Sequence, residues 1–203
     1  MLPIILSVLA VSLTGVMTPG PMFAVTVAKS YRSPWAGAKI AIGHAIIEIP
    51  IILLIYFGFT KLFQHTTFQI VLSLIGGAML IWIGISMLRS HKAVVEGGKD
   101  LPYGAITAGI VMSATNPFFL LWWATAGSML VMKFTQFGIK GLPIFIGTHW
   151  VCDLIWLSFV SLVIFRTKNL WGNKVQGWIL IACSLLMLGF GGWFMYQGVK
   201  LIF

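Results

Sequence analysis

The sequence predicts an all-α, polytopic membrane protein, and two observations support that class. Of the 203 residues, 59% are hydrophobic and only 8% are charged, with a mean hydropathy of +1.00. A water-soluble domain has no core large enough to bury so much apolar surface. In addition, apolar segments long enough to cross a hydrocarbon layer of about 30 Å recur along the whole chain.

Six membrane-spanning helices are predicted, separated by turn residues and charges. Their approximate bounds are residues 2–28, 36–60, 67–88, 104–131, 141–165 and 175–201. The most polar stretch, about residues 89–103, contains Gly97-Gly98 among mixed charges. Because this stretch is short, it predicts a linker without a domain of its own, and we expect one transmembrane domain over residues 1–203.

The distribution of lysine and arginine predicts the orientation in the cell membrane. Nine of the 13 basic residues lie in or beside the first, third and fifth loops, and four lie elsewhere. Since cytoplasmic loops carry the excess of lysine and arginine, these loops are expected in the cytoplasm and both termini on the opposite side. The net charge is +9, but the basic residues form no clustered face, which argues against a nucleic-acid partner.

The two halves of the chain resemble each other, which predicts two three-helix repeats. In the second span, Gly37-x5-Gly43 precedes a histidine and an acid; in the fifth span, Gly141-x5-Gly147 precedes a similar pair, offset by one residue. Tandem repeats of three spans must cross the membrane in opposite directions, which is the inverted-repeat arrangement of many secondary transporters. The expected units are repeat one over about 1–90, a cytoplasmic linker over about 89–103, and repeat two over about 104–203.

Proline interrupts the first and the fourth predicted spans. Pro19-Gly20-Pro21 lies in the first span and Asn116-Pro117 in the fourth. Each proline removes a backbone donor and clashes with the preceding helical turn, so both helices are expected to be broken at these motifs. Inside a membrane, freed backbone groups are tolerated only where protein or a water-filled cavity satisfies them. The motifs are therefore either packing kinks or half-helix ends that face a substrate.

Two of the four acidic residues, Glu48 and Asp153, lie inside long apolar segments. A carboxylate at membrane depth costs about 2.5–3.5 kcal/mol on insertion scales, so a chain that carries two is expected to use them. His44 and His149 each precede one of these acids by four residues, which stacks each pair on one face of a helix. Such a pair could exchange a proton, bind a cationic substrate group, or simply satisfy itself as a structural contact.

These motifs resemble those of the LysE/RhtB family of amino-acid exporters over essentially the whole chain. The family has a Pro-Gly-Pro in the first span, a glycine-patterned second span and a mid-chain Asn-Pro, which correspond here to Pro19-Gly20-Pro21, Gly37 to Gly43, and Asn116-Pro117. Members that export basic amino acids carry an aspartate in the second span, and Glu48 stands at about that position. The resemblance implies export of an amino acid, a basic one among the candidates, driven by the proton or the membrane potential.

The expected mechanism is alternating access, in which one repeat rocks against the other around the broken helices. No cofactor and no enzymatic activity are expected, and the partners are an amino acid, a proton and the lipid bilayer. Glycine-rich faces of the third and sixth spans also suggest a homodimer. The candidate substrate- or proton-binding residues are Glu48, Asp153, His44, His149, Pro19, Gly20, Pro21, Asn116 and Pro117.

Other functions compete with this interpretation. Two imidazoles and two carboxylates, from His44, Glu48, His149 and Asp153, would also suit a divalent-metal transporter. An intramembrane enzyme lacks support because the sequence has no HExxH motif and no paired cysteines. A membrane scaffold would not explain the two buried acids. The tandem tryptophans that follow Asn116-Pro117 could line a cavity and stack on a cation, or contact lipid.

Overall fold

The computed structural model describes residues 2–18, 20–59, 65–95 and 103–202, and the regular secondary structure within these ranges is helical, as predicted. The helical segments include a π-helical turn (Trp123–Gly127) and a 3₁₀ turn (Lys168–Leu170). The α-helices are α1 (Leu2–Val16), α2 (Pro21–Ser30), α3 (Ala36–Tyr56), α4 (Thr66–Val95), α5 (Ala105–Ala114), α6 (Pro117–Trp122), α7 (Ser128–Thr135), α8 (Gly141–Thr167) and α9 (Asn173–Lys200).

Five helical stretches are each long and apolar enough to cross a membrane. They are Ala36–Tyr56, Thr66–Arg89, Pro117–Thr135, Gly141–Leu170 and Asn173–Lys200. Helices α1 and α2 reach that length only together, and their axes differ by 73°. Within the described ranges, the prediction of a multispanning helical protein is confirmed, with five spans or six if α1 and α2 form one.

Several helix ends differ from the predicted bounds. Helix α3 ends at Tyr56 rather than near residue 60, because Gly58 adopts a left-handed φ of +93° that closes the helix. The N–H of Phe59 donates to the Leu54 carbonyl and that of Gly58 to the Ile55 carbonyl, which is the Schellman pattern of helix termination. Helix α4 continues to Val95, past the predicted end near residue 88, since polar residues end an apolar segment without ending a helix.

Glycines allow three pairs of helices to pack backbone to backbone. A Cβ built at Gly77 of α4 would lie 2.8 Å from the Gly191 carbonyl oxygen of α9, and one at Gly191 would lie 2.9 Å from the Gly77 oxygen. Helix α5 packs as closely on α3, and Gly37 brings α3 against α8. Gly77 and Gly191 are thus used within one chain, and the homodimer stays a prediction.

Helices α3 and α8 each contribute residues to two apolar clusters. One cluster includes Ala41 and Leu157, and the other includes Ile51 and Phe145. About three turns separate Ala41 from Ile51 on α3 and Phe145 from Leu157 on α8, and the four ionisable residues discussed below fall in that gap. The packing therefore places a polar layer at the middle of α3 and α8, where α1 and α5 also end against them.

Candidate functional site

The four ionisable residues predicted from the sequence meet at the middle of the molecule. His44 and Glu48 lie on α3, and His149 and Asp153 lie on α8; each is between 1% and 6% exposed. The Nε2 atoms of both histidines lie 3.0 Å from the same oxygen, Oε1 of Glu48. Because a carboxylate oxygen accepts hydrogen bonds, each ring donates from Nε2. Glu48 thus joins an imidazole of its own helix to one of the neighbouring helix.

Asp153 occupies the opposite side of this cluster at longer range. Its Oδ1 lies 3.8 Å from Nε2 of His44, and its Oδ2 lies 3.8 Å from Nε2 of His149. These distances allow electrostatic attraction but exceed hydrogen-bond length. The aspartate therefore interacts with the same two rings as Glu48 without bonding either of them.

Two serines that the sequence analysis did not single out complete the cluster. Ser12 of α1 places its Oγ 2.6 Å from Nδ1 of His149, and Ser113 of α5 places its Oγ 2.7 Å from Nδ1 of His44. A continuous chain of hydrogen bonds therefore runs Ser12–His149–Glu48–His44–Ser113 and links four helices. Single serines in apolar helices give little sequence signal, because most of them bond only to their own helix backbone.

The two serines differ in how their single proton can be used. The Ser113 hydroxyl lies 2.7 Å from the Gly109 carbonyl oxygen, to which it donates within α5. While it does so, its oxygen can only accept from Nδ1 of His44, and that ring then carries both protons. Ser12 has no second hydrogen-bond partner within the described ranges, so its hydroxyl is free to donate to Nδ1 of His149.

A cavity of about 160 Å³ opens beside this cluster. One buried water needs roughly 10–15 Å³ of cavity volume, so this cavity admits a small molecule or several waters. Of the residues predicted for the site, the cavity is lined by His44, Glu48, His149, Asp153, Gly20, Pro21 and Asn116. Pro117 is buried but lines a second cavity, between α4, α6 and α9, and Pro19 lies outside the described residues.

Aromatic rings cover the imidazoles from the side of α6. Trp122 stacks on His149 with ring centroids 5.4 Å apart, and Trp123 meets the same ring edge-on at 5.1 Å. Phe119 contacts His44 edge-on at 4.9 Å. Both tryptophans also line the cavity. The ring on which Trp122 stacks is the imidazole of His149.

Three buried polar atoms at the cavity lack a hydrogen-bond partner among the described residues. They are Oε2 of Glu48, Oδ2 of Asp153 and Nε1 of Trp123. Buried polar atoms are normally satisfied, so unsatisfied ones next to a cavity indicate where a ligand or water binds. Two acceptors of negative character favour a group with several N–H donors, such as an ammonium group.

The helix ends beside the cavity are capped differently. Asn116 caps α6, with its Oδ1 accepting from the Phe118 N–H at 3.1 Å. Helix α2 has Gly20 in the capping position, which offers no side chain, and Pro21 at its first position. The first N–H groups of α2, on Met22 and Phe23, belong to residues that line the cavity. The positive end of the α2 dipole therefore lies beside the cavity without a side-chain cap.

A metal ion is the second ligand class that these residues could bind. His44, Glu48 and Asp153 each offer one ligand atom, and the three atoms lie within 4.8 Å of one another. A nitrogen and two carboxylate oxygens are suitable ligands for a divalent transition metal.

Comparison with known proteins gives consistent matches over nearly the full length. The family described as LysE type translocator matches residues 13–198. A Bacillus subtilis (strain 168) protein named for amino acid efflux, YcgF, is 24% identical over 203 residues, with 97% of each chain covered. The chemotactic transduction protein ChpE of Pseudomonas aeruginosa is 26% identical over 201 residues, covering 95% of this chain and 97% of the relative. No solved structure matches the chain.

Proposed function

The chain belongs to the LysE type translocator family, and from this premise we propose that it is a secondary active exporter that moves an amino acid out of the cytoplasm. The name of the Bacillus relative supports the substrate class. One structural observation carries the proposal furthest: two buried carboxylate oxygens without donors face a cavity that also borders the open N-terminus of α2. An α-amino acid carries a cationic and an anionic group that fit these two features.

In the proposed arrangement, six spans form two inverted repeats. Helices α1 and α2 would be the first span, broken at Pro19-Gly20-Pro21, and α5 to α7 would be the fourth, broken at Asn116-Pro117. The packing supports this pairing, because α1 lies on α8 as α5 lies on α3, and α4 and α9 lie on each other. The reciprocal contact of Gly77 with Gly191 is what a two-fold relation would produce. The basic loops and the linker would lie in the cytoplasm and both termini outside it.

The substrate ammonium group would bind between Oε2 of Glu48 and Oδ2 of Asp153. Its carboxylate would then lie toward Met22 and Phe23 at the start of α2, where the first N–H groups of the helix and the helix dipole favour negative charge. A basic amino acid would suit the site particularly well, since a site with two carboxylates can accept a further cationic group. The flat faces of Trp122 and Trp123 would contact the side chain of the substrate.

Export would be coupled to protons at the same carboxylates. A proton on Glu48 or Asp153 and a bound ammonium group satisfy the same oxygens, so each would displace the other. With the site open to the cytoplasm the amino acid would bind, and with the site open to the opposite side a proton would replace it. This competition would couple export of the amino acid to entry of a proton, and the proton gradient would then set the direction of transport.

Efflux from proteoliposomes tests this function. Vesicles containing the purified protein are loaded with radiolabelled basic, small, branched or hydroxylated amino acids, and efflux is measured with and without an imposed pH gradient or membrane potential. We expect one amino-acid class to leave faster when the outside is acidic, and Glu48→Gln to abolish that efflux. Glu96→Gln and Asp100→Asn, which change the two acids of the polar linker, are the matched controls. Absence of efflux for every class, from protein shown to be inserted, would contradict the proposal.

Divalent-metal transport is the second candidate, because His44, Glu48 and Asp153 form a plausible three-ligand set. The same vesicles can be loaded with a fluorescent zinc indicator. Zinc entry that depends on Glu48, in vesicles that move no amino acid, would favour this function over amino-acid export.

A further inference from the structure

We propose that Ser12 and Ser113 are positioning residues of the transport site. Each serine would hold one imidazole with Nε2 turned toward Glu48, and each would connect the site to a half-helix, α1 or α5. The consequence for transport rests on the proposed export function, whereas the effect on the imidazoles does not.

The contacts of the two rings show why the serines can have this effect. Ser12 and Ser113 are fully buried, at 0% exposure, and their hydroxyls lie 2.6 and 2.7 Å from the Nδ1 atoms of His149 and His44. The other neighbours of the rings are Glu48 and Asp153 on the Nε2 side and aromatic faces or edges. Within the described ranges, the serine hydroxyl is therefore the hydrogen-bonding group at Nδ1 of each ring.

An imidazole can point either nitrogen toward a given partner, and its second hydrogen bond decides which arrangement is stable. The same relation is seen where an outer partner fixes the orientation of a metal-bound histidine. With the serine at Nδ1, the N–H of Nε2 is aimed at Oε1 of Glu48. Without the serine, Nδ1 would be a buried polar atom without a partner, and both the tautomer and the ring orientation would be less restricted.

The positions of the serines connect these rings to the parts of the molecule that alternating access would move. The rings lie on α3 and α8, whereas the serines lie near the ends of α1 and α5, which stop at Val16 and Ala114 just before the proline motifs. A displacement of α1 away from α8 would break the Ser12–His149 bond. The freed ring could then release Glu48, which would become available to the ammonium group or the proton.

Nitrogen NMR of the histidines tests the geometric part directly. The chain has four histidines, so His65→Asn with His91→Asn leaves only the two rings of the site. In that background we expect Ser113→Ala to change the nitrogen shifts that report the protonation of the His44 ring, and Ser12→Ala to change those that report the tautomer of the His149 ring. Ser184→Ala is the matched control, because Ser184 is equally buried but, among the described residues, bonds only to the Leu180 carbonyl of α9. Spectra unchanged by both site variants would overturn the proposal.

Transport kinetics tests the consequence. Loss of one buried hydrogen bond should lower the turnover of Ser12→Ala and Ser113→Ala by about tenfold while KM changes little. Ser113→Cys preserves the size of the side chain but bonds weakly, so it should behave like the alanine variant, and Ser113→Thr should recover activity. Ser113→Cys also keeps the site well packed, so it replaces Ser113→Ala as the test variant if the alanine protein does not fold. Full activity in the cysteine variant, or an equal loss in Ser184→Ala, would contradict a positioning function. If the wild type moves no amino acid, the export function fails and the NMR result still decides the geometry.

Discussion

The two halves of the site contain the same groups but arrange them differently. Each half contributes a serine, a histidine and an acid, with the serine on one helix and the other two on its neighbour. Glu48 is one methylene longer than Asp153, and its Oε1 lies 3.0 Å from both imidazoles, whereas Asp153 remains 3.8 Å from each. The site therefore contains one carboxylate that bridges the two rings and a second, shorter one that hydrogen-bonds neither of them.

The helices that carry the serines, α1 and α5, also differ in how closely they pack on their neighbouring helices. Gly43 and Gly109 let α3 and α5 touch backbone to backbone, and a Cβ at either position would overlap a carbonyl oxygen of the other helix. The predicted repeat pairs Gly147 of α8 with Gly43, yet the described residues leave open space around a Cβ built at Gly147. Because no comparable backbone contact is found there, we expect α1, rather than α5, to be the half-helix that moves.

The largest expected effect is on the two acids. Glu48→Gln should lower efflux by at least about 100-fold, because the amide has no charge to attract the substrate ammonium group or the imidazoles and no site for the coupling proton. Asp153→Asn should lower it by only about tenfold, since that carboxylate makes no hydrogen bond to either ring. Initial efflux rates, normalised to the amount of inserted protein, give the comparison. Equal losses in the two variants would show that the methylene difference has no functional meaning.

Exchanging the acids sharpens the same comparison. Glu48→Asp alone should break the bridge to one or both imidazoles and reduce efflux. Combining it with Asp153→Glu moves the longer side chain to α8, where it can reach both rings, and should recover part of the activity. Efflux of the double variant at or below that of Glu48→Asp would mean that position, and not reach, distinguishes the two acids.

The next effect concerns the packing of the half-helices. Gly109→Ala should destabilise the protein by about 1–3 kcal/mol, because its methyl group forces α5 away from α3. Gly147→Ala should leave stability nearly unchanged, since its methyl group enters open space. Thermal unfolding of the purified proteins in detergent measures both. A destabilisation by Gly147→Ala as large as that by Gly109→Ala would contradict the difference between α1 and α5.

The smallest expected effect is at the two helix starts. Asn116→Ala removes the side-chain cap of α6 and should cost about 1 kcal/mol of stability. Gly20→Ser would give α2 a side chain that can cap it and should change the stability by only a few tenths of about 1 kcal/mol, because glycine is already almost as good as serine in the capping position. Unfolding in the same detergent separates the two variants, and no loss of stability in Asn116→Ala would mean that Asn116 does not act as a cap.

The sequence predicted the chemistry of the site better than its geometry. The four-residue spacing of His44 to Glu48, and of His149 to Asp153, follows from helix periodicity, so each pair was expected on one face. That Glu48 bonds both rings depends on how closely α3 and α8 pack, which no local pattern encodes. Ser12 and Ser113 were missed for the same reason, since their partners are distant in sequence.

The positions of the helix ends and the oligomeric assembly were also only partly predictable from the sequence. Apolar length predicted the spans, but the end of α3 depends on the turn at Gly58, and α4 continues as a polar helix beyond its apolar part. The glycine-rich faces of α4 and α9 suggested a homodimer; Gly77 and Gly191 of these faces pack against each other within one chain, and the homodimer stays a prediction. The inverted-repeat topology and the orientation of the termini stay predictions.

The most direct test of the account is whether substrate and proton compete at Glu48. Binding of the exported amino acid to the purified protein can be measured by calorimetry in two buffers of different ionisation enthalpy, which gives the number of protons released. We predict proton release on binding to the wild type and to Glu96→Gln, and none with Glu48→Gln. Binding without proton release, or release that persists unchanged in Glu48→Gln, would contradict the account.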